Sequence, residues 1–174
     1  MRWDDVALAV ATTPAPLSTL TPGERAQLPH GPRRHDWLLG RAALKAAGAG
    51  DTSLLAFPNR CLSLTHAAGV AVAARCDGDQ AGVGVDLEAW RTIDPQSAPL
   101  YLRPGEDGDL LRLWTVKEAL FKATPANAGV ALVDYEVEDP LAYEGVAADR
   151  HGRTFEYQSR RRPEGWLTVA VCVG

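Results

Sequence analysis

The sequence predicts an α+β domain with pseudo-twofold duplicated halves, each a helix plus three antiparallel strands. Three observations carry this. Hydrophobic residues make up 46% of the 174-residue chain, ample for a core, and their spacing switches between helical and strand periods. The order helix then three strands occurs twice, and LTHAAGVAVAA in the first half echoes GWLTVAVCVG in the second. No low-complexity segment or interdomain linker interrupts the pattern. Residues 1–88 and 89–174 are therefore expected to be two halves of one compact unit.

The N-terminal MRWDDVALAVATTPAPLS places acidic residues before a short apolar run and prolines after it, which is the wrong order for a secretory signal. No stretch reaches the ~18 consecutive apolar residues of a membrane span. A cytoplasmic protein without membrane association is expected. Thr21-Pro22-Gly23-Glu24 has the capping-box pattern, with a hydroxyl cap, proline in the first turn and glutamate three residues on. A short helix starts there. After Pro29–Pro32, RRHDWLLGRAALKAAG gathers Trp37, Leu38, Ala42, Leu44 and Ala46 around one side and ends at Gly48. CLSLTH, VAVAARC and GVGVDLE then read as strands joined at Gly69 and at Asp77-Gly78-Asp79. A proline-containing loop, 91–104, leads to a helix over about 109–123, followed by strands near 130–138, 153–159 and 166–173.

The net charge of -4 gives no global attraction to nucleic acid or an anionic membrane, so any basic site must be local. Cys61, Cys76 and Cys172 form no C-x-x-C pair and lie in apolar stretches; buried thiols, without disulfide or zinc, are expected.

GVGVDLE stays apolar until Asp86 and Glu88, two residues apart and so on one face of a strand. Close carboxylates repel unless a cation lies between them, and oxygen ligands of this kind suit magnesium. In WTVKEALFKA, Glu118 and Lys122 share a flank beside a broad apolar stripe, whereas Lys117 falls near the middle of the stripe and needs a partner or a route to water. Spacing alone leaves two readings open: an ion pair along the helix, or a third carboxylate with a cation beside it. In Ser63-Leu64-Thr65-His66 the two hydroxyls share a face and His66 falls at the turn, where it is either structural or a contact for an anion. Arg33, Arg34, Arg41 and Lys45 cluster on the first long helix as a solvated face or a phosphate site.

Taken together, S-L-T-H, G-V-G-V-D-L-E and W-T-V-K-E-A-L-F-K, in this order, resemble the signature of 4'-phosphopantetheinyl transferases of the Sfp-like type. L-T-P-G-E-R and R-R-H-D-W-L-L-G-R resemble the family's N-terminal region, so the resemblance covers roughly residues 20 to 140. It implies transfer of phosphopantetheine from coenzyme A to a serine of an acyl or peptidyl carrier protein, releasing 3',5'-adenosine bisphosphate, by a pseudo-twofold α+β monomer with its site between the halves. Asp86, Glu88 and Glu118 would hold Mg2+ against the pyrophosphate. Lys122 would contact the phosphate under attack, and Thr65 and His66 the phosphate region of the coenzyme. Glu106 falls where the family has an acidic residue proposed as proton acceptor, with Asp107 or a metal-bound water as alternatives. The family's Gly-Lys-Pro element is replaced by Phe57-Pro58-Asn59-Arg60, so Arg60 would supply the missing charge, with Arg33, Arg34 and Arg41 as further coenzyme contacts. The segment between Asp86 and Glu118 is short for this type. The alternative is a catalytically impaired homologue that binds coenzyme A or carrier. Arg160-Arg161-Arg162 is either a docking surface for an acidic carrier or a solvated turn. The type hints at secondary metabolism, in polyketide or nonribosomal-peptide synthesis.

Overall fold

A computed structural model describes residues 6–77, 82–124 and 129–173; Gly78 and Asp79 of the expected turn lie outside them. The chain is α+β with two antiparallel sheets. β1 (Val6–Ala11), β2 (Leu62–Ala67) and β3 (Val70–Cys76) form a three-stranded sheet in the order β1-β3-β2. β4 (Val83–Ala89), β5 (Glu136–Val137), β6 (Glu144–Ala148), β7 (Thr154–Arg161) and β8 (Gly165–Cys172) form a five-stranded sheet in the order β4-β8-β7-β6-β5. The helices are α1 (Pro22–Ala26), α2 (Arg33–Ala46) and α3 (Leu110–Ala123). None of them is long and apolar enough to cross a membrane.

The strand period decides what each sheet face covers. On β3, Ala71 and Ala73 pack with Leu39, Ala43 and Leu44 of α2. The alternate residues Val70, Val72 and Ala74 meet Val83, Val85 and Leu87 of β4 and Leu167 and Val169 of β8. That second cluster is a core shared by both sheets. On the far face of the second sheet, Val116, Ala119, Leu120 and Ala123 of α3 pack on Tyr135, Phe155, Tyr157 and Ala170.

The division between the two sheets differs from the expected one. The first sheet runs strand, helix, strand, strand, with the first strand paired to the last; the order β1-β3-β2 has a counterpart in β4-β8-β7, to which β6 and β5 are added at the outer edge. GVGVDLE therefore opens the second sheet, and the outer strand of the first sheet is the VALAVA run near the N-terminus. Sheet membership changes between Cys76 and Val83, not after Glu88. β4 is buried along both faces as far as Leu87, so its sequence has no polar alternation to tell which sheet it joins. β6 was not expected either. It is short, and its Gly145 lies where a Cβ would stand 3.3 Å from the Tyr157 hydroxyl.

The local signals are obeyed. The Thr21 hydroxyl accepts the Glu24 N–H while the Glu24 carboxylate accepts the Thr21 N–H. Gly48, at φ 88°, is the residue after the cap of α2, and the Gly48 and Ala49 N–H groups close back onto the Lys45 and Leu44 carbonyls. Ala68 and Gly69, both at positive φ, make the two-residue turn between β2 and β3.

β2 and β4 run side by side where the sheets meet. The Val83 N–H reaches the Arg60 carbonyl, but further along the hydroxyls of Ser63 and Thr65 accept the Val85 and Leu87 N–H groups, at 3.0 and 3.2 Å. The partners advance together, so the two strands are parallel. Side-chain oxygens take the place of backbone carbonyls, and the two sheets are joined there by the S-x-T pair.

Candidate active site

Gly84, Asp86 and Glu88 share the face of β4 that looks onto α3. A Cβ at Gly84 would collide with the Ala119 carbonyl and the Ala123 N–H, so the glycine lets the helix lie directly on the strand. The following residues then meet side chains of α3. Lys122 Nζ stands 2.7 Å from Asp86 Oδ1 and 3.2 Å from the Val85 carbonyl. The Trp114 indole N–H donates to Glu88 Oε1 at 3.0 Å, and Arg91 lies 3.1 Å from Glu88 Oε2. Trp114, Glu118 and Lys122 are one turn apart, so the helix carries an indole, a carboxylate and an ammonium along one line above Asp86 and Glu88.

Asp86 is 4% exposed, and its Oδ2 is buried with no hydrogen-bond partner among the described residues. Burial raises its pKa, Lys122 opposes the rise, and Glu88 adds to it. Glu118, half-buried, is raised by its own burial and then by Asp86, with Lys122 opposing and Glu88 adding. The three carboxylates thus repel one another around one lysine. Among the described residues no three or more His, Cys, Asp or Glu side chains already converge as metal ligands: Lys122 holds Asp86, and Arg91 with Trp114 holds Glu88.

The S-x-T-H segment reaches the same place from the other sheet. The Thr65 hydroxyl donates to Asp86 Oδ1 at 3.3 Å. His66 packs against α2 at Gly40, where a Cβ would stand 2.8 Å from its Nε2. Burial there lowers its pKa, the Asp36 backbone counteracts this, and Lys122 is near enough to lower it further. Phe57, Pro58, Asn59 and Ser63 line a cleft of about 340 Å³ with Lys122. The exposed Arg60 follows Asn59 in the chain. Arg33 lies on the α2 flank of Asp36 and Gly40 by helical spacing, so it shares the side of His66; Arg34 lies off that flank. Arg41 stacks over Trp37 at 4.4 Å, and its Nε is buried without a partner among the described residues. Burial lowers its pKa, and Glu24 and Asp51 oppose the shift.

Other side chains are structural. Lys45 is bound by Glu24 at 2.7 Å and by the Thr19 carbonyl at 2.6 Å, which removes it from the basic cluster. Glu106, expected as a proton acceptor, has both oxygens engaged. Lys117 Nζ lies 2.6 Å from Oε2 and 2.8 Å from Oε1, the Arg103 N–H also donates to Oε2 and the Val137 N–H to Oε1. A carboxylate at 7% exposure with four such contacts has no lone pair offered to a substrate hydroxyl; it is the partner that Lys117 required. Asp107 is exposed beside it. Cys61 is exposed, against expectation, while Cys76 and Cys172 are buried. Trp114 and Arg91, which orient Glu88, were not foreseen; the i,i+4 spacing of Trp114 from Glu118 was the available signal.

No known protein-family model matches the chain, and no curated protein sequence matches it.

Proposed function

We propose that this chain is a magnesium-dependent 4'-phosphopantetheinyl transferase that modifies a serine of an acyl or peptidyl carrier protein with coenzyme A as donor. One observation carries the reading: two motifs distant in sequence, D-x-E and K-E-A-x-x-K, face each other, with Lys122 2.7 Å from Asp86 and a buried oxygen of Asp86 left without a partner. An orphaned carboxylate oxygen among mutually repelling carboxylates fits a divalent cation, so Asp86, Glu88 and Glu118 are its proposed ligands. Magnesium, when bound, supplies positive charge against the pyrophosphate. The arrangement of two sheets and the paired helices α2 and α3 agrees with the pseudo-twofold fold of that family.

The chemistry is a displacement at phosphorus. The serine oxygen forms a bond to the β-phosphorus of coenzyme A, the bond from that phosphorus to the bridging oxygen breaks, and 3',5'-adenosine bisphosphate leaves; the serine proton is lost to a base other than Glu106. Lys122 sits on a flexible stem beside Asp86 and offers its ammonium to the phosphate under attack. His66 and Thr65 come from the first sheet and Lys122 from α3, which packs on the second, so a polyanion held at the junction touches both halves. Arg60 and Arg33 supply positive charge on the first half. Positioning and charge stabilisation account for most of such a reaction.

The test is incubation with coenzyme A, magnesium and apo-carrier proteins, read by intact-mass spectrometry. The expected result is a covalent phosphopantetheine on the carrier serine. Asp86→Ala is expected to lower the rate at least ~100-fold with the fold retained. No mass increase with carriers from fatty-acid, polyketide and nonribosomal-peptide synthesis would refute the activity, and binding of coenzyme A without transfer would favour the impaired homologue.

A further inference from the structure

A second cleft, of about 390 Å³, opens next to Glu88. Its walls are Trp90 and Tyr143, its floor is Trp166, and Arg161, Ser159 and Asp109 complete it. The rings are set edge to face or tilted, with Trp90 6.0 Å and Tyr143 5.6 Å from Trp166. Trp90 and Tyr143 are 43% and 62% exposed. Large rings held in fixed geometry yet open to water are a preferred anchor for a partner's apolar side chain.

The surrounding charge selects the partner. Asp109 is engaged: one oxygen accepts the Arg112 N–H and the other the Trp166 indole N–H, each at 3.0 Å. Glu144 pairs in register with Gln158 and bonds to it, and the strand period turns Gln158 away from the face that carries Ser159 and Arg161. Glu164 lies in the turn between β7 and β8. Against it stand Arg161, which lies 4.9 Å over the Trp90 ring, and the exposed Arg162; Arg91 is taken up by Glu88. A guanidinium already on Trp90 disfavours a cationic ligand. Arg161 and Arg162 therefore set two guanidiniums beside an aromatic pit.

Location ties the cleft to the site. Trp166 is the direct cross-strand partner of Glu88, which puts the floor of the cleft one strand spacing, ~5 Å, from a proposed magnesium ligand. We infer that this cleft docks the acidic surface of the carrier protein, with one apolar side chain of the carrier seated between Trp90 and Tyr143 and its carboxylates on Arg161 and Arg162. This rests on the transferase reading for the identity of the partner. The middle arginine of Arg160-Arg161-Arg162 carries the contact; Arg160 faces the other side, where it lines a small cavity with Leu8 and Leu167.

The test measures binding separately from transfer. An apo-carrier with its acceptor serine replaced by alanine is titrated into the full chain calorimetrically, alongside a transfer assay with the unaltered carrier. Arg161→Glu is expected to weaken carrier binding about tenfold or more and to steepen neither the loss of fold nor the KM for coenzyme A; Tyr143→Ala is expected to weaken it severalfold, with Tyr143→Phe close to wild type. Binding by wild type should also fall as salt rises. If Arg161→Glu and Tyr143→Ala bind the carrier as wild type does, the cleft is not the docking site, while transfer by wild type would leave the enzymatic reading standing. Cleft-dependent binding without transfer would support the docking surface and sink the reading. Wild type that neither binds nor modifies any carrier would overturn both.

Discussion

Two buried carboxylates show how donors decide the charge state of a group that burial alone would neutralise. Glu24 is fully buried and receives the Lys45 ammonium, the Thr52 hydroxyl and the N–H groups of Thr21 and Thr52. Burial pushes its pKa up, but Lys45, Thr52 and the backbone donors together bring it from 4.5 down to about 2. Asp86 has one charged donor, one hydroxyl and a bare oxygen, and burial holds its pKa above the ordinary value. The first has every donor in place; the second keeps one oxygen without a partner among the described residues. The depressed pKa of Glu24 gives a pH signature. Its contribution is present above the unfolded value near 4.5 and is lost as pH falls through about 2, so wild type should lose roughly 3 kcal/mol between pH 5 and pH 2 from this group. Denaturant melts over that range should show Glu24→Gln less stable than wild type at pH 7 and converging with it toward pH 2. Parallel curves would mean that Glu24 is not tied as described. In the sequence, the capping box announced Glu24 correctly, but its second and third partners came from Lys45 and Thr52, which spacing could not bring to it.

At the scale of the element, α3 is fixed at three points, and none was fully legible. Asp109 caps its start by accepting the Arg112 N–H, Gly84 receives its middle, and Lys117 bolts its buried side to Glu106 and to the Tyr135 carbonyl. The apolar stripe and the helix bounds followed from the 3.6 period. The position of Lys117 within the stripe called for a partner or a route to water; the partner comes from a loop with no period to read, and its motif position suggested catalysis instead. A buried pair is costly to break from one side. Lys117→Met should therefore cost about 3 to 5 kcal/mol by leaving Glu106 charged and unmatched, and Glu106→Gln with Lys117→Met together should recover more than half of that loss. Urea melts of the four proteins in the cycle measure the coupling. Additive losses would show that the two side chains do not act as a pair, and a Glu106→Gln protein of full stability with an abolished chemical step would return Glu106 to the role of base.

The whole molecule is held by a core that neither sheet owns. Val70 and Val72 of β3, Val83 and Val85 of β4 and Leu167 and Val169 of β8 lie in one cluster, and the Ser63 and Thr65 hydroxyls bridge β2 to β4 alongside it. The sequence showed that Ser63 and Thr65 share a face and that helix and strands alternate. It did not show where one sheet ends, because strands buried on both faces lack the alternation that assigns a side, and hydroxyls standing in for carbonyls leave no pattern. The consequence is thermodynamic. Two halves that share a core and a hydrogen-bonded seam should unfold together, so far-ultraviolet dichroism and tryptophan fluorescence should report one coincident urea transition. The tryptophans resolved in the first sheet's helix and in the second half, Trp37 and Trp90, Trp114 and Trp166, sample both units. Ser63→Ala removes the acceptor for the buried Val85 N–H and should cost about 1 to 3 kcal/mol, lowering the midpoint without changing the slope. A second transition in the variant would mean that the seam, more than the shared core, couples the halves. Two transitions already in wild type would show instead that each strand-helix-strand-strand unit is stable alone, and that the junction carrying Thr65, His66, Asp86 and Lys122 is an interface between independent bodies.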